Sequence, residues 1–113
     1  MTIPTRNRLK NKKDFDAVFK RGRATNGSFL FIKYLGVDRP YPRLGFVVAS
    51  KYAPSAVLRN KVRRVLADSI WPGLLEKFRP NDIVAVIIKK VPPDATGIKE
   101  EFLKLLGTAH LYD

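Results

Sequence analysis

The chain has 113 residues, 45% of them hydrophobic, and a formal net charge of +12 from 22 Lys and Arg against 10 Asp and Glu. That length makes a single domain, residues 1–113, with enough apolar residues for a core of its own. Cysteine is absent, which excludes disulfides, thiolate zinc centres and cysteine nucleophiles and fits a reducing cytoplasm.

In chain order, residues 1–10 (MTIPTRNRLK) have no apolar signal-peptide segment and read as a basic arm carrying Arg6, Arg8 and Lys10. A short helix is expected from NKKDFDAVFK, with Asn11 as its cap, Asp14 in the first turn and Gly22 at its end. Phe15, Val18 and Phe19 fall at i, i+3, i+4 and share one face of it. SFLFIKYLG from Ser28 reads as a strand, and RLGFVVASK from Arg43 as another beyond the turn-rich VDRPYP. A short strand around residues 23–26 precedes them, and the three are expected to pair antiparallel. By period-2 alternation, Leu30, Ile32 and Tyr34 share one face while Phe29 and Phe31 point into the core.

A second helix is expected from a Ser55 cap to about Ser69, stopped by Pro72-Gly73. The uniformly apolar DIVAVIIKK suggests a central strand covered on both sides. Its run IVAVII is far short of the roughly 20 residues that span a bilayer, so a soluble cytoplasmic protein without membrane contact is expected. After Pro92-Pro93, a last helix places Ile98, Phe102, Leu105, Leu106 and Ala109 on one core-facing stripe. The expected class is α+β, a two-layer α/β sandwich in the order helix, three strands, helix, strand, helix.

The distribution of charge is more informative than its sum. Residues 1–64 hold 16 of the basic side chains and only Asp14, Asp16 and Asp38, whereas residues 65–113 are nearly neutral. So one-sided a field points to a polyanionic partner. It culminates in AVLRNKVRR, residues 56–64. At about 100° per residue, Arg59, Asn60, Arg63 and Arg64 occupy one flank of the helix and Leu58, Val62, Val65 and Leu66 the other, with Lys61 apart. Like charges at such spacing cost a few tenths of a kcal/mol per pair, and solvated helix faces usually mix signs. Guanidinium forks match phosphate oxygens in pairs. Asn60 adds a donor and an acceptor for a sugar, a base edge or a neighbouring Arg. Lys51 and Arg43 extend the positive surface. Phe15 and Phe19 on a short helix flanked by cations are either core or a stacking platform for unpaired bases, at about 1–3 kcal/mol per base. Trp71 is expected to cover the end of its helix, and His110 to lie on the surface.

AVLRNKVRR resembles the RNR signature of the bacterial ribonuclease P protein subunit, approximately A-V-x-R-N-x-x-[KR]-R. RNRLKNKKDFDAVFKRG is similar to that family's N-terminal block, and RLGFVVASK to the strand that leads into its signature loop. The likeness covers nearly the whole chain in order and spacing. This chain departs from the pattern at Ala67, where a further Arg is usual, at Asp68, where Glu is common, and at Pro54, where a small residue is usual. The resemblance implies the same order of elements with a left-handed β-α-β crossover, against the usual preference. It implies a protein that binds the catalytic RNA subunit and the single-stranded 5′ leader of precursor tRNA, promoting removal of the leader. Magnesium, held mainly by the RNA, is the implied cofactor, and no obligate protein partner is implied. Arg59, Asn60, Arg63, Arg64, Lys51 and Lys61 are then the contacts to the RNA subunit. Phe15, Phe19, Leu30 and Ile32 form the leader cleft, with Tyr frequent in the family at the position of Ile32.

The residues themselves offer no protein active site. Asp14 and Asp16 diverge on a helix, the other acids are scattered, and neither a His pair nor a glycine-rich nucleotide loop is present. A ribosomal-type RNA-binding protein or RNA chaperone without a cleavage role is the alternative that charge alone also allows. A stand-alone protein nuclease lacks the carboxylates it needs.

Overall fold

In the computed structural model, which describes residues 3–112, the sequence forms α1 (Lys12–Arg21), β1 (Arg23–Asn26), β2 (Leu30–Gly36), β3 (Arg43–Val47), α2 (Ala56–Ile70), β4 (Asn81–Ile87) and α3 (Ile98–Thr108). Short 3-10 turns at Thr5–Asn7 and Leu74–Lys77 complete it. The α+β class and the order of elements are those expected.

The sheet runs β1-β2-β4-β3. β1 and β2 form the antiparallel hairpin read from the sequence, but β3 does not join β2. Instead β4 lies between them, antiparallel to β2 and parallel to β3. The reason is apolarity. Residues 82–85 and 87 of β4 are all buried, and only a central position covers both faces of such a strand. α2 is the crossover that joins the parallel pair β3 and β4.

Alternation along β4 then divides the interior. Ile83, Ala85 and Ile87 face α2 and α3, where Val62, Leu66, Ile70, Ile98, Phe102 and Leu106 close the main core. The Phe46 and Phe102 rings meet edge to face there at 6.2 Å. Val84 and Val86 face the other way, onto Leu9, Phe15 and Val18. The sandwich thus has a partial third layer, α1, on the face opposite α2 and α3.

The helix ends follow their chemistry. Ser55 Oγ accepts the Leu58 N–H at 3.0 Å, as expected of an N-cap. Asn11 occupies the cap position of α1, but its side chain bonds no helix N–H, and its Nδ2 reaches Asp14 Oδ2 instead. Trp71 is half-buried against the main core at the end of α2, and His110 is exposed. The basic arm is not free. Ile3, Asn7 and Leu9 are buried, Asn7 Nδ2 donates to the Pro42 carbonyl at 2.8 Å, and the Leu9 N–H donates to the Leu44 carbonyl at 2.8 Å. The arm therefore lies along the outer edge of β3, where it takes up part of the unpaired backbone.

Two acid-centred clamps fix the sheet to its surroundings. Asp82, buried at the start of β4, accepts from Arg43 Nε and Nη2 at 3.0 and 2.8 Å and from Arg39 at 3.1 Å. Arg43 Nη2 also lies 3.2 Å from Asp14 Oδ2, so the network ties α1 to β3 and β4. The hydrogen bond to Asp82 holds the Arg43 guanidinium above its usual pKa. In the second clamp, Glu101 of α3 accepts the backbone N–H groups of Ser28, Phe29 and Leu30 at 2.7, 2.7 and 2.9 Å. Gly27 permits this, since a Cβ there would lie 2.7 Å from the carboxyl carbon. Glu101→Gln offers one acceptor oxygen in place of a carboxylate. The expected loss is about 1.5–3 kcal/mol, the value of a hydrogen bond to a charged group, read as a lower urea midpoint at unchanged m-value.

Candidate nucleic-acid interface

α1 crosses its face of the sheet over one row of registered residues. Gly45 of β3 and Lys33 of β2 both pair with Val84 of β4. A Cβ on Gly45 would come within 2.6 Å of the Phe15 ring, so the bare backbone there is the seat of that ring. At the other end of the row, Lys33 Nζ donates to the Phe19 carbonyl at 2.7 Å and sits 5.9 Å from the ring centroid. On one side of α1 the next row, Arg43–Asp82–Leu35, holds the buried carboxylate. On the other side the next row is Val47–Val86–Phe31, half-buried, and beyond it Ile88 is 38% exposed. This uncovered strip of sheet beside α1, with Phe19 36% exposed on that helix and Lys33 next to it, outlines an open apolar cleft.

Leu30 and Ile32 are not in it. Both are fully buried in the main core beneath α2 and α3, paired with Ile87 and Ala85, and Tyr34 packs on that same core. From Leu30 onward the sequence-based parity of β2 is therefore reversed, and the open face carries Phe31, Lys33 and Leu35, whereas Phe29, just ahead of the strand, packs on the main core as expected. The run Leu30-Phe31-Ile32 is apolar on both faces and so cannot fix its own register. The signal that could have fixed it is Lys33. A lysine avoids the core, so the residues two away from it, Phe31 and Leu35, belong to the open side.

At the outer edge of β3 a second concavity of about 600 Å³ lies between the N-terminal segment and α2. Arg8, Lys10 and Phe15 border it on one side, and Asn60, Arg63, Arg64 and Ala67 on the other. Arg63 and Arg64 are exposed, and neither pairs with a carboxylate among the described residues. Asn60 Oδ1 accepts from Arg63 Nη1 at 3.3 Å, so the Asn aims a neighbouring guanidinium. Ala67, where a longer cation is usual in the signature, leaves the inner wall low. Phe15 lines this concavity and shares an apolar cluster with Val47 and Val86 of the open strip, so it joins the cleft to the cationic wall.

Not every expected cation converges here. Arg59 is half-buried and folds back onto the loop before α2, its Nη1 donating to the carbonyls of Ala53 and Pro54 at 2.9 and 3.2 Å. Its proximity to Arg63 in sequence concealed this local use. Lys61 lies apart, as the helical projection indicated, close enough to Asp94 to help lower the pKa of that carboxyl, after the larger hydrogen bond from Thr96. Lys51 lies over the Tyr52 ring at 5.5 Å and Arg6 over the Tyr41 ring at 5.2 Å. Both are exposed, and neither borders the concavity at the edge of β3.

A four-stranded mixed sheet with two helices on one face and one on the other, joined by a cationic crossover helix, defines a class that comparison with known proteins makes specific. The family model described as Ribonuclease P matches residues 3–110. Curated relatives include the ribonuclease P protein components of Acidothermus cellulolyticus, 34% identical over 93% of this chain and 89% of that one, and of Nostoc punctiforme, 28% identical over 100% and 98%. Solved structures with the same fold include the ribonuclease P protein of Thermotoga maritima, with TM-score 0.75, 27% identity and coverage of 89% and 96%. That of Staphylococcus aureus has TM-score 0.83, 21% identity and coverage of 95% and 98%. The chain belongs to the ribonuclease P protein family.

Gly45→Ala tests the seat of α1. The added methyl must displace the Phe15 ring, at an expected cost of about 1–3 kcal/mol for overpacking. Chemical denaturation gives the loss, and the Phe15 ring resonances in an NMR spectrum should move more than those of Phe102.

Proposed function

We propose that this chain is the protein subunit of a ribonucleoprotein ribonuclease P, assisting RNA-catalysed removal of the 5′ leader from precursor tRNA. The observation that carries the reading is the junction at Phe15, where an apolar cleft meets a wall of cations that pair with no carboxylate among the described residues. Arg63, Arg64, Arg8 and Lys10 contact the phosphates of the catalytic RNA, and Asn60 holds Arg63 in position for it. The leader runs along the strip formed by Phe31, Val86 and Val47. Phe19 offers its ring to a base and Lys33 its charge to a phosphate. Family membership supports the RNA subunit as a partner, and precursor tRNA is the substrate this reading adds.

In this reading the chain contributes binding and the RNA subunit contributes cleavage. Among the described residues no three His or acidic side chains come together to hold a metal. The magnesium of the reaction is in this reading a cofactor of the RNA, and no step is assigned to protein ligands. Among the described residues no helix is long and apolar enough to cross a membrane.

The experiment mixes purified protein with its cognate RNA subunit and precursor tRNA at low magnesium. Cleavage should rise well above that of RNA alone, and no gain would overturn the reading. Phe31→Ala should weaken binding of precursor tRNA by about 1–3 kcal/mol, one stacked base, and leave mature tRNA nearly unaffected. Equal losses for both would remove Phe31 from the leader path. Arg63→Ala with Arg64→Ala should flatten the log–log salt dependence of RNA-subunit binding by about one unit per lost phosphate contact. An unchanged slope counts against this wall.

A further inference from the structure

The inward side of α1 closes the cleft, and its outward side is a second cationic surface on the layer opposite α2. Lys12, Lys13, Lys20 and Arg21 are all exposed and line a shallow depression with Asp16 and Ala17. None of the four makes a side-chain hydrogen bond or ion pair among the described residues, and neither does Asp16. Asp14, the other acid of the helix, is turned toward Arg43. On α3 the outward residues Lys99, Glu100 and Lys104 mix signs, as a solvated face does. On α1, four cations face one carboxylate and repel one another across the helix.

Their arrangement is specific. Lys12 and Lys13 stand at one end, Lys20 and Arg21 at the other, about 12 Å apart along the axis at 1.5 Å per residue. The small Ala17 lies between the two pairs and leaves room for a backbone to approach. The two rings of α1, Phe15 and Phe19, lie against the sheet and at the cleft, so this outward surface has no platform for stacking bases. Unpaired RNA is held by rings as well as cations, whereas paired RNA is recognised through phosphates and 2′-hydroxyls.

We propose that the outer face of α1 is a further RNA-binding surface, taking the backbone of a paired RNA segment by its phosphates. α1 then separates two RNAs, an unpaired strand in the cleft on one side and a duplex on the other. This goes beyond the reading above and does not depend on which RNA occupies the α2 wall.

The test uses the full chain and two probes, a fully paired blunt RNA duplex and an unstructured oligouridine, with affinity measured across a salt series. Lys13→Ala, Lys20→Ala and Arg21→Ala combined should lower the log–log salt slope for the duplex by about two to three units, one per lost contact. The slope for oligouridine should change less. A charge-matched control, Lys77→Ala, Lys99→Ala and Lys104→Ala, removes the same charge from the surface remote from α1 and should leave the duplex slope as it is. Asp16→Lys, which adds a cation between the two pairs, should tighten duplex binding and needs no loss of charge that could unsettle α1. The proposal is overturned by an unchanged duplex slope in a folded triple variant. It is overturned equally if both triple variants flatten the slope alike, which is a diffuse field. It also fails if oligouridine loses as much as the duplex, or if Asp16→Lys leaves duplex affinity unchanged.

Discussion

A strand that is apolar on both faces must be covered on both, and β4 imposes that requirement on the whole molecule. Its odd-numbered side chains receive α2 and α3, which is enough for a core. Its even-numbered side chains need a second cover, and α1 is too short to provide all of it. At ten residues, α1 spans the sheet from Gly45 to Lys33 and shields only the row beneath it. The row beyond stays half open. The cleft is therefore the unfilled remainder of a packing problem, and its aromatic and aliphatic floor is core-type surface left in contact with water.

The charges are arranged by the same geometry. Asp82 is the buried acid at which two arginines are spent, and Arg43 passes that anchoring on to Asp14 at the start of α1. Arg59 is spent on the loop before its own helix. Among the cations that pair with no carboxylate of the described residues, two groups stand on helices of opposite layers, Arg63 and Arg64 on α2 and the outer lysines on α1. A surface so divided presents cations on both sides of the sheet, and the proposed contacts to more than one RNA rest on that geometry.

Much of the fold was legible because it rests on local signals. The Ser55 cap, the Pro-Gly stop, the stripe of α3 and the two-sided apolarity of β4 each act within a few residues, and the structure follows them. The pairing of β3 was not legible, because strand order depends on which strand most needs burial, a comparison across the chain. The parity of β2 was missed for a related reason. Three successive apolar residues satisfy either face, and only cross-strand pairing with Ala85 and Ile87 decides between them. The candidate wall was legible as far as Asn60, Arg63 and Arg64. The withdrawal of Arg59 was not, because a carbonyl acceptor in a neighbouring loop leaves no trace in residue type.

The amino-acid order by itself determined a single basic α+β domain, its helices and strands, its one-sided charge and the family signature, since these follow from composition, periodicity and short-range spacing. The tertiary structure decided that β4 enters between β2 and β3, that Phe31 and Lys33 rather than Leu30 and Ile32 face the cleft, and that Phe15 joins the cleft to the cationic wall. Those outcomes turn on side chains distant in sequence competing for the same buried space, a contest that is settled only when the sheet is assembled.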